Sequence, residues 1–305
     1  MRRTAVSLGI VALMGSLLGP RDGRSSEPSL AVGAARAGGR LFLIGGREDK
    51  RRDLTVLRAF VRFLGGPRAR LLVLTYPSRD QDGLEAAYRE AFGKLGVEHL
   101  RFLRIADRAD ADRTEAADEV QQTDGVYFTG GSQWKIVGLI KGTRLEDALL
   151  RRWDQGLRIA GTSAGAAMTP ETMLTHGSSN SAPRAGDPEL EPGMGLIRGV
   201  VVDSHFAQRG RHGRLMAAVS ERPDLLGLGI DEDTALALDG DRFEVLGDGC
   251  VTVLDAGKSQ LNNRPGRGTG APVALSGVTL HSLPAGYGFD LRTRSAFVVP
   301  TNAGR

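Results

Sequence analysis

The chain has one cysteine, Cys250, in 305 residues. That excludes an intrachain disulfide and a zinc site built on several thiolates. Cys250 lies in the apolar segment DGCVTVLD, the setting of a buried structural thiol rather than a reactive one. Aromatic residues are scarce, at 5%. No dense basic run is interleaved with them, which argues against a nucleic-acid surface. Net charge is a mild +4. The N-terminal apolar run, Thr4 to Gly19, is short for a stable membrane span. Glycine, in contrast, is abundant, with 42 residues.

The first residues have a layout of their own. A basic start, MRR, precedes the apolar run, and a polar stretch of small residues continues to about Gly39. This is the order of a secretory signal. Residues 1–38 are therefore expected to be a signal peptide and flexible leader, and the protein to be secreted or periplasmic. The alternative is an apolar tail on a cytoplasmic protein.

Residues 39–305 read as one α/β domain. Short apolar strands in GRLFLIGG, RLLVLTYPS, EHLRFLRI, GVYFTGG and LRIAGTSAG alternate with helical stretches. The helices are expected at Leu54–Phe63, Asp82–Leu95, Arg113–Gln121, Trp134–Ile140 and Leu145–Trp153. Such alternation predicts a mainly parallel sheet covered on both faces. From His176 to Gly195 periodicity is lost, and a long loop is expected. GLIRGVVVDSHF returns to strand, and RHGRLMAAVSERP is helical up to Pro223. Successive strands follow, with turns at Asp239-Gly240 and Gly247-Asp248-Gly249. Gly257 to Gly270 is a polar loop, and the tail supplies a last strand or two. There is no internal repeat.

Sites in parallel sheets gather at the carboxyl ends of strands. Three glycine-bearing strand ends qualify: Gly45-Gly46, Gly130-Gly131 and the run Gly161-Thr162-Ser163-Ala164-Gly165. The last has the G-x-S-x-G form of a nucleophile elbow, in which a sharp strand-to-helix turn presents the serine hydroxyl. Small residues there also let a helix pack close to a sheet. A serine nucleophile needs a base, and the base an orienting acid. Two arrangements fit. One joins Ser163 to Asp255 and His281, in α/β-hydrolase order. The other joins it to His205, at the end of GVVVD, with an acid from Asp231, Glu232 or Asp233. The surroundings favour His205, because Arg209, Arg211 and Arg214 follow it closely, and guanidiniums form planar forks for carboxylates. A solvated basic helix face would carry the same pattern. Gly130-Gly131 and the amide of Ala164 could supply oxyanion donors.

Together FTGGSQWKI, GTSAGAAM, GMGLIRGVVVDSHFAQRGRHGRL and LGLGIDEDTAL resemble, in order and spacing, the hallmark segments of the cyanophycinase branch of the peptidase E-like serine peptidases, family S51. The match runs from about Gly39 to Asp239. The resemblance implies a three-layer α/β sandwich of flavodoxin-like, class I glutamine amidotransferase-like form. It implies hydrolysis of cyanophycin, a poly-aspartate bearing arginine on each β-carboxyl, to β-Asp-Arg dipeptides, with no cofactor or metal. It assigns Ser163 as nucleophile, His205 as base and Glu232 as orienting acid, with Gly131 and Ala164 as oxyanion donors. Gln133, Asp203, Ser204, Arg209, Arg211 and Arg214 would contact substrate, and the protein would be a homodimer. Two departures fall at the pocket: Ser132-Gln133 where the family has acid-Gln, and Asp203-Ser204-His205 where it has Asp-Gln-His. Glu171, Asp187, Glu189 and Glu191 are other acids within the segment after the nucleophile. An aspartyl or isoaspartyl dipeptidase, and a non-catalytic binding protein, are the competing functions on this scaffold.

Overall fold

A computed structural model describes residues 39–76, 80–263 and 269–300. The expected leader lies outside the described residues. The alternating first half is β1 (Arg40–Ile44), α1 (Thr55–Leu64), β2 (Arg70–Thr75), α2 (Gln81–Lys94), β3 (His99–Arg104), α3 (Arg108–Asp112) and α4 (Thr114–Gln121). Then come β4 (Gly125–Phe128), α5 (Gln133–Ile140), α6 (Arg144–Asp154), β5 (Arg158–Thr162) and α7 (Ala164–Ala167). The expected helices hold to within a residue or two. Their ends follow side-chain chemistry: Asp80 caps α2 by accepting from the Gly83 amide, and Thr143 caps α6 through Glu146.

β1, β5, β4, β2 and β3 lie side by side in that order, all parallel. Alternate residues of these apolar strands face opposite layers. Phe42, Ile44, Tyr127 and Ala160 pack with α1 and α2. Leu41, Leu43, Val126 and Ile159 pack with Ile136 of α5 and Leu149 and Trp153 of α6. Helices therefore cover both faces, giving an α/β fold of three layers.

The second half is β6 (Thr172–His176), β7 (Glu189–Pro192), β8 (Val200–Asp203), α8 (His212–Glu221), β9 (Leu226–Ile230), β10 (Thr234–Asp239), β11 (Arg242–Gly247) and β12 (Cys250–Asp255). The tail adds β13 (Leu261–Asn262), β14 (Leu275–Ser276), β15 (Thr279–Pro284), β16 (Tyr287–Asp290) and β17 (Ser295–Val298). β10 joins β1 antiparallel, and β11, β16 and β17 extend the sheet to nine strands. β8, β9, β12 and β15 form a separate four-stranded sheet. The turn at Gly247–Gly249 thus carries the chain from one sheet to the other. The stretch expected as a long loop after His176 contains β7, which pairs antiparallel with β6. β7 is four residues with a single half-buried apolar side chain, Leu190, so it carries no alternation to detect.

The scarce aromatics are concentrated. Phe42, Phe60, Phe63, Tyr88, Phe92 and Tyr127 form one cluster under the parallel sheet, with ring centroids 5.2–6.5 Å apart. Phe60 touches four of the others and is fully buried. Truncation leaves a cavity that the rigid sheet cannot fill. Phe60→Ala is therefore expected to lower the unfolding free energy by about 3–5 kcal/mol, read as a lower midpoint in urea with an unchanged slope.

Candidate active site

The elbow is built by exclusion of side chains. A Cβ on Gly161 would lie 2.1 Å from the carbonyl oxygen of Gly165, and one on Gly165 would lie 2.4 Å from that of Phe128. Only glycines let α7 sit this close to β4 and β5. Both explanations of the motif therefore hold: tight packing creates the turn, and the turn presents the serine. Ser163 has φ 56° and ψ −117°, a strained conformation for a residue with a side chain. Its amide donates to the Ile44 carbonyl (3.0 Å), and its carbonyl accepts from Ala166 and Ala167.

Ser163 Oγ lies 2.8 Å from His205 Nε2, and His205 Nδ1 lies 2.7 Å from Glu232 Oε1. The neutral tautomer that donates from Nδ1 to Glu232 leaves Nε2 free to accept from the serine. His205 follows β8 and also holds a positive φ, 48°. Its amide donates to the Gly45 carbonyl at 2.7 Å. Gly46 runs under the imidazole so closely that a Cβ there would sit 2.4 Å from Cε1. Glu232 follows β9, and its amide donates to Gln208 Oε1 (3.0 Å). Arg47 Nε approaches the Glu232 oxygen used by the histidine, at 3.4 Å. Among the described residues seven non-glycines have positive φ, and Arg47, Ser163, His205 and Asp233 are four of them. Strain is thus gathered around the triad, where surrounding contacts must hold it.

Burial pushes the His205 imidazole below its ordinary value of 6.5. The Glu232 hydrogen bond opposes that shift, and the nearby Arg209 and Arg211 charges add to it. The base is therefore neutral at physiological pH.

The remaining expected residues divide. Gly130 passes the nucleophile, with a Cβ there falling 3.4 Å from that of Ser163, and Gly131 follows, exposed. Ala164 opens α7, so its amide has no intrahelical acceptor. Asp203 is 2% exposed, and its carboxylate accepts from Arg211 Nη1 (3.0 Å), Arg214 Nε (2.7 Å) and Arg214 Nη2. A carboxylate so buried requires such partners. The charges of Asp203 and Arg214 thus meet one another rather than an open pocket. Ser204 is buried as well, and its carbonyl accepts from Arg211. Arg211 is less complete: its Nε is buried with no partner, and burial lowers the guanidinium to about 10. Arg209 is exposed. Gln133 donates from Nε2 to the Leu174 carbonyl (2.7 Å), tying α5 to β6.

The other candidates lie elsewhere. His281 packs edge-on against Phe289, and Asp255 ion-pairs with Arg294, so the hydrolase-order triad is not formed. His176 pairs with Glu189 at the surface, and Asp187 accepts from Ser178. Gly45–Glu48, which supports both base and acid, was visible only as a glycine-bearing strand end.

Comparison with known proteins shows the family. The profile of Peptidase family S51 matches residues 41–246, spanning the parallel sheet, the elbow, His205 and Glu232. The chain is 36% identical to a cyanophycinase of Synechococcus elongatus over 257 residues, 84% of this chain and 80% of that protein. It is 34% identical to a cyanophycinase of Trichormus variabilis, again over 84% of this chain and 86% of the relative. In fold it resembles the crystal structure of a peptidase from an acI-B1 Actinobacterium, with a TM-score of 0.61, 22% identity and coverage of 84% of this chain and 98% of that one. A serine held on an elbow beside a buried histidine, within a family profile that covers most of the sheet, leaves one assignment: the chain is a serine peptidase of family S51.

Proposed function

We propose that this peptidase hydrolyses the aspartyl backbone of cyanophycin through an acyl-enzyme, releasing β-Asp-Arg dipeptides. The observation that carries this is the unbroken chain Ser163–His205–Glu232 beside an incompletely satisfied guanidinium, Arg211. Likeness to cyanophycinases over most of the chain supports the substrate. His205 Nε2 takes the hydroxyl proton as Ser163 Oγ attacks the scissile carbonyl. Glu232 stabilises the imidazolium. The amides of Gly131 and Ala164 receive the oxyanion. His205 then protonates the leaving amine, and water attacks the ester by the same route in reverse. Each dipeptide unit carries the carboxylate of its arginine. Arg209 and Arg211 offer the forks for it, and the Asp203–Arg214 pair fixes the segment that presents them.

Residues 1–38 keep the signal layout, and export of the enzyme is part of the proposal, as is self-association as a homodimer. Among the described residues no helix is long and apolar enough to cross a membrane.

Purified cyanophycin, with release of β-Asp-Arg followed chromatographically, tests the proposal. The parent protein is expected to release dipeptide. Ser163→Ala is expected to fall by about 10⁴-fold or more, and Glu232→Gln by about 10³–10⁴. Cleavage of aspartyl dipeptides with none of the polymer would overturn the substrate. Arg209→Ala is expected to raise KM about tenfold with little change in kcat, the worth of one charge-assisted hydrogen bond.

The pH dependence has a definite sign. Because the folded His205 value is depressed, kcat/KM should rise through an apparent pKa below 6.5 and stay level above neutrality. Glu232→Gln removes an influence that raises the value and should move this limb to lower pH. Arg209→Ala removes one that lowers it and should move the limb up. A parent limb above 6.5 would contradict a depressed His205 imidazole.

A further inference from the structure

The loop from Gly45 to Lys50 runs beside the nucleophile and base, and it turns inward at Glu48. That side chain is 3% exposed, yet it carries a carboxylate. Oε1 accepts from Tyr88 Oη (2.5 Å), Tyr127 Oη (3.0 Å) and Lys50 Nζ (2.8 Å). Oε2 accepts from Thr162 Oγ1 at 2.6 Å. Burial pushes the Glu48 carboxyl upward, but Lys50 and the hydrogen bonds from Thr162 and Tyr88 outweigh it and hold it below its ordinary value. Burial pushes both tyrosines well above the usual phenol range, so they remain donors. The group is an anion with four donors drawn from β5, β4, α2 and its own loop.

An apolar side chain would fill this space without the several kcal/mol that removing an ion from water costs. What the anion adds is direction. Thr162 immediately precedes Ser163, so the 2.6 Å bond grips the strand at the point where the strained turn begins. The same loop contacts the base from the other side. Gly45 accepts from the His205 amide, Gly46 lies beneath the imidazole, and the Gly46 carbonyl accepts from Asp233, next to the acid. Asp49 fixes the far end of the loop by accepting from the amides of Arg51 to Leu54.

We infer that Glu48 is a positioning residue for the reaction. Through Thr162 it holds the Ser163 elbow in its strained form, and through Gly45 and Gly46 it keeps that elbow in register with His205. The inference rests on Ser163 being the nucleophile.

The test measures phosphonylation of Ser163 by a fluorophosphonate, and kcat and KM on cyanophycin, each per titrated active site. Counting only reactive sites removes any contribution from unfolded molecules. Thr162→Val removes one donor with almost no change of shape. It is expected to slow both phosphonylation and kcat by about 10- to 100-fold, the factor one charge-assisted hydrogen bond is worth, with KM within about twofold. Thr162→Ser keeps the hydroxyl and should restore the rate to within about threefold of the parent. Glu48→Gln removes the charge that four donors share and should fall at least as far as Thr162→Val, and the double variant should lose less than the product of the two single losses, because the residues are coupled through one bond. Thr162→Val labelled at the parental rate, or losses that multiply in the double variant, would overturn the inference. If Glu48→Gln does not fold, the Val and Ser variants at 162 decide the matter between them. A parent protein that is not labelled at Ser163 would instead defeat the nucleophile assignment itself, so the two failures are distinguishable.

Discussion

Everything at the site depends on how closely α7 approaches the end of the parallel sheet. With the carbonyl of Gly165 facing Gly161, and that of Phe128 facing Gly165, there is no volume for a single additional carbon. This contact forces the sharp turn at Ser163, and the turn sets the hydroxyl at the mouth formed by β1, β4 and β5. The backbone there is strained, so it persists only because neighbouring hydrogen bonds over-determine it. The Ile44 carbonyl, the first turn of α7 and the Glu48 carboxylate supply that constraint from three directions.

The charges are arranged in two layers of different purpose. Glu48 with Lys50 and Asp203 with Arg214 are matched ion pairs whose carboxylates are buried and ringed by further donors. Such pairs add little net stability, but losing one partner would be costly. They fix the two segments that carry the acid–base machinery. Nearer the surface the balance is deliberately uneven. Arg209 and Arg211 raise the local positive potential, which depresses the imidazole and suits a substrate that brings carboxylates. One fold thus uses arginine as internal support in Arg214 and as an exposed group in Arg209, with Arg211 bonded to Asp203 between them.

Much of this was legible in the chain. The strand and helix pattern of the first half and the elbow follow from local periodicity and from motifs whose residue types dictate backbone shape, whereas the neighbouring arginines only favoured His205 over His281, and the choice of Glu232 over Asp231 and Asp233 came from the family resemblance. What escaped was set by partners distant in sequence. Asp203 and Arg214 are eleven residues apart, yet nothing in the segment tells that they neutralise each other. Glu48 carries no local signal, because its burial is decided by Tyr88, Tyr127 and Thr162, on three other elements. The same holds for topology. The glycine turn after β11 resembles a hairpin locally, and only the pairing of β12 with β9 sends the chain into a second sheet. β7 has too few apolar residues to announce itself, and it exists because β6 offers it an edge.

The central claim is that Ser163 is made nucleophilic by His205. Peptide mapping by mass spectrometry after exposure to a fluorophosphonate tests this most directly, comparing the parent protein with His205→Ala under identical conditions. The account predicts one adduct, on Ser163, in the parent, and essentially none in the variant over the same time. An adduct on another residue, or equal labelling of Ser163 without the histidine, would contradict it.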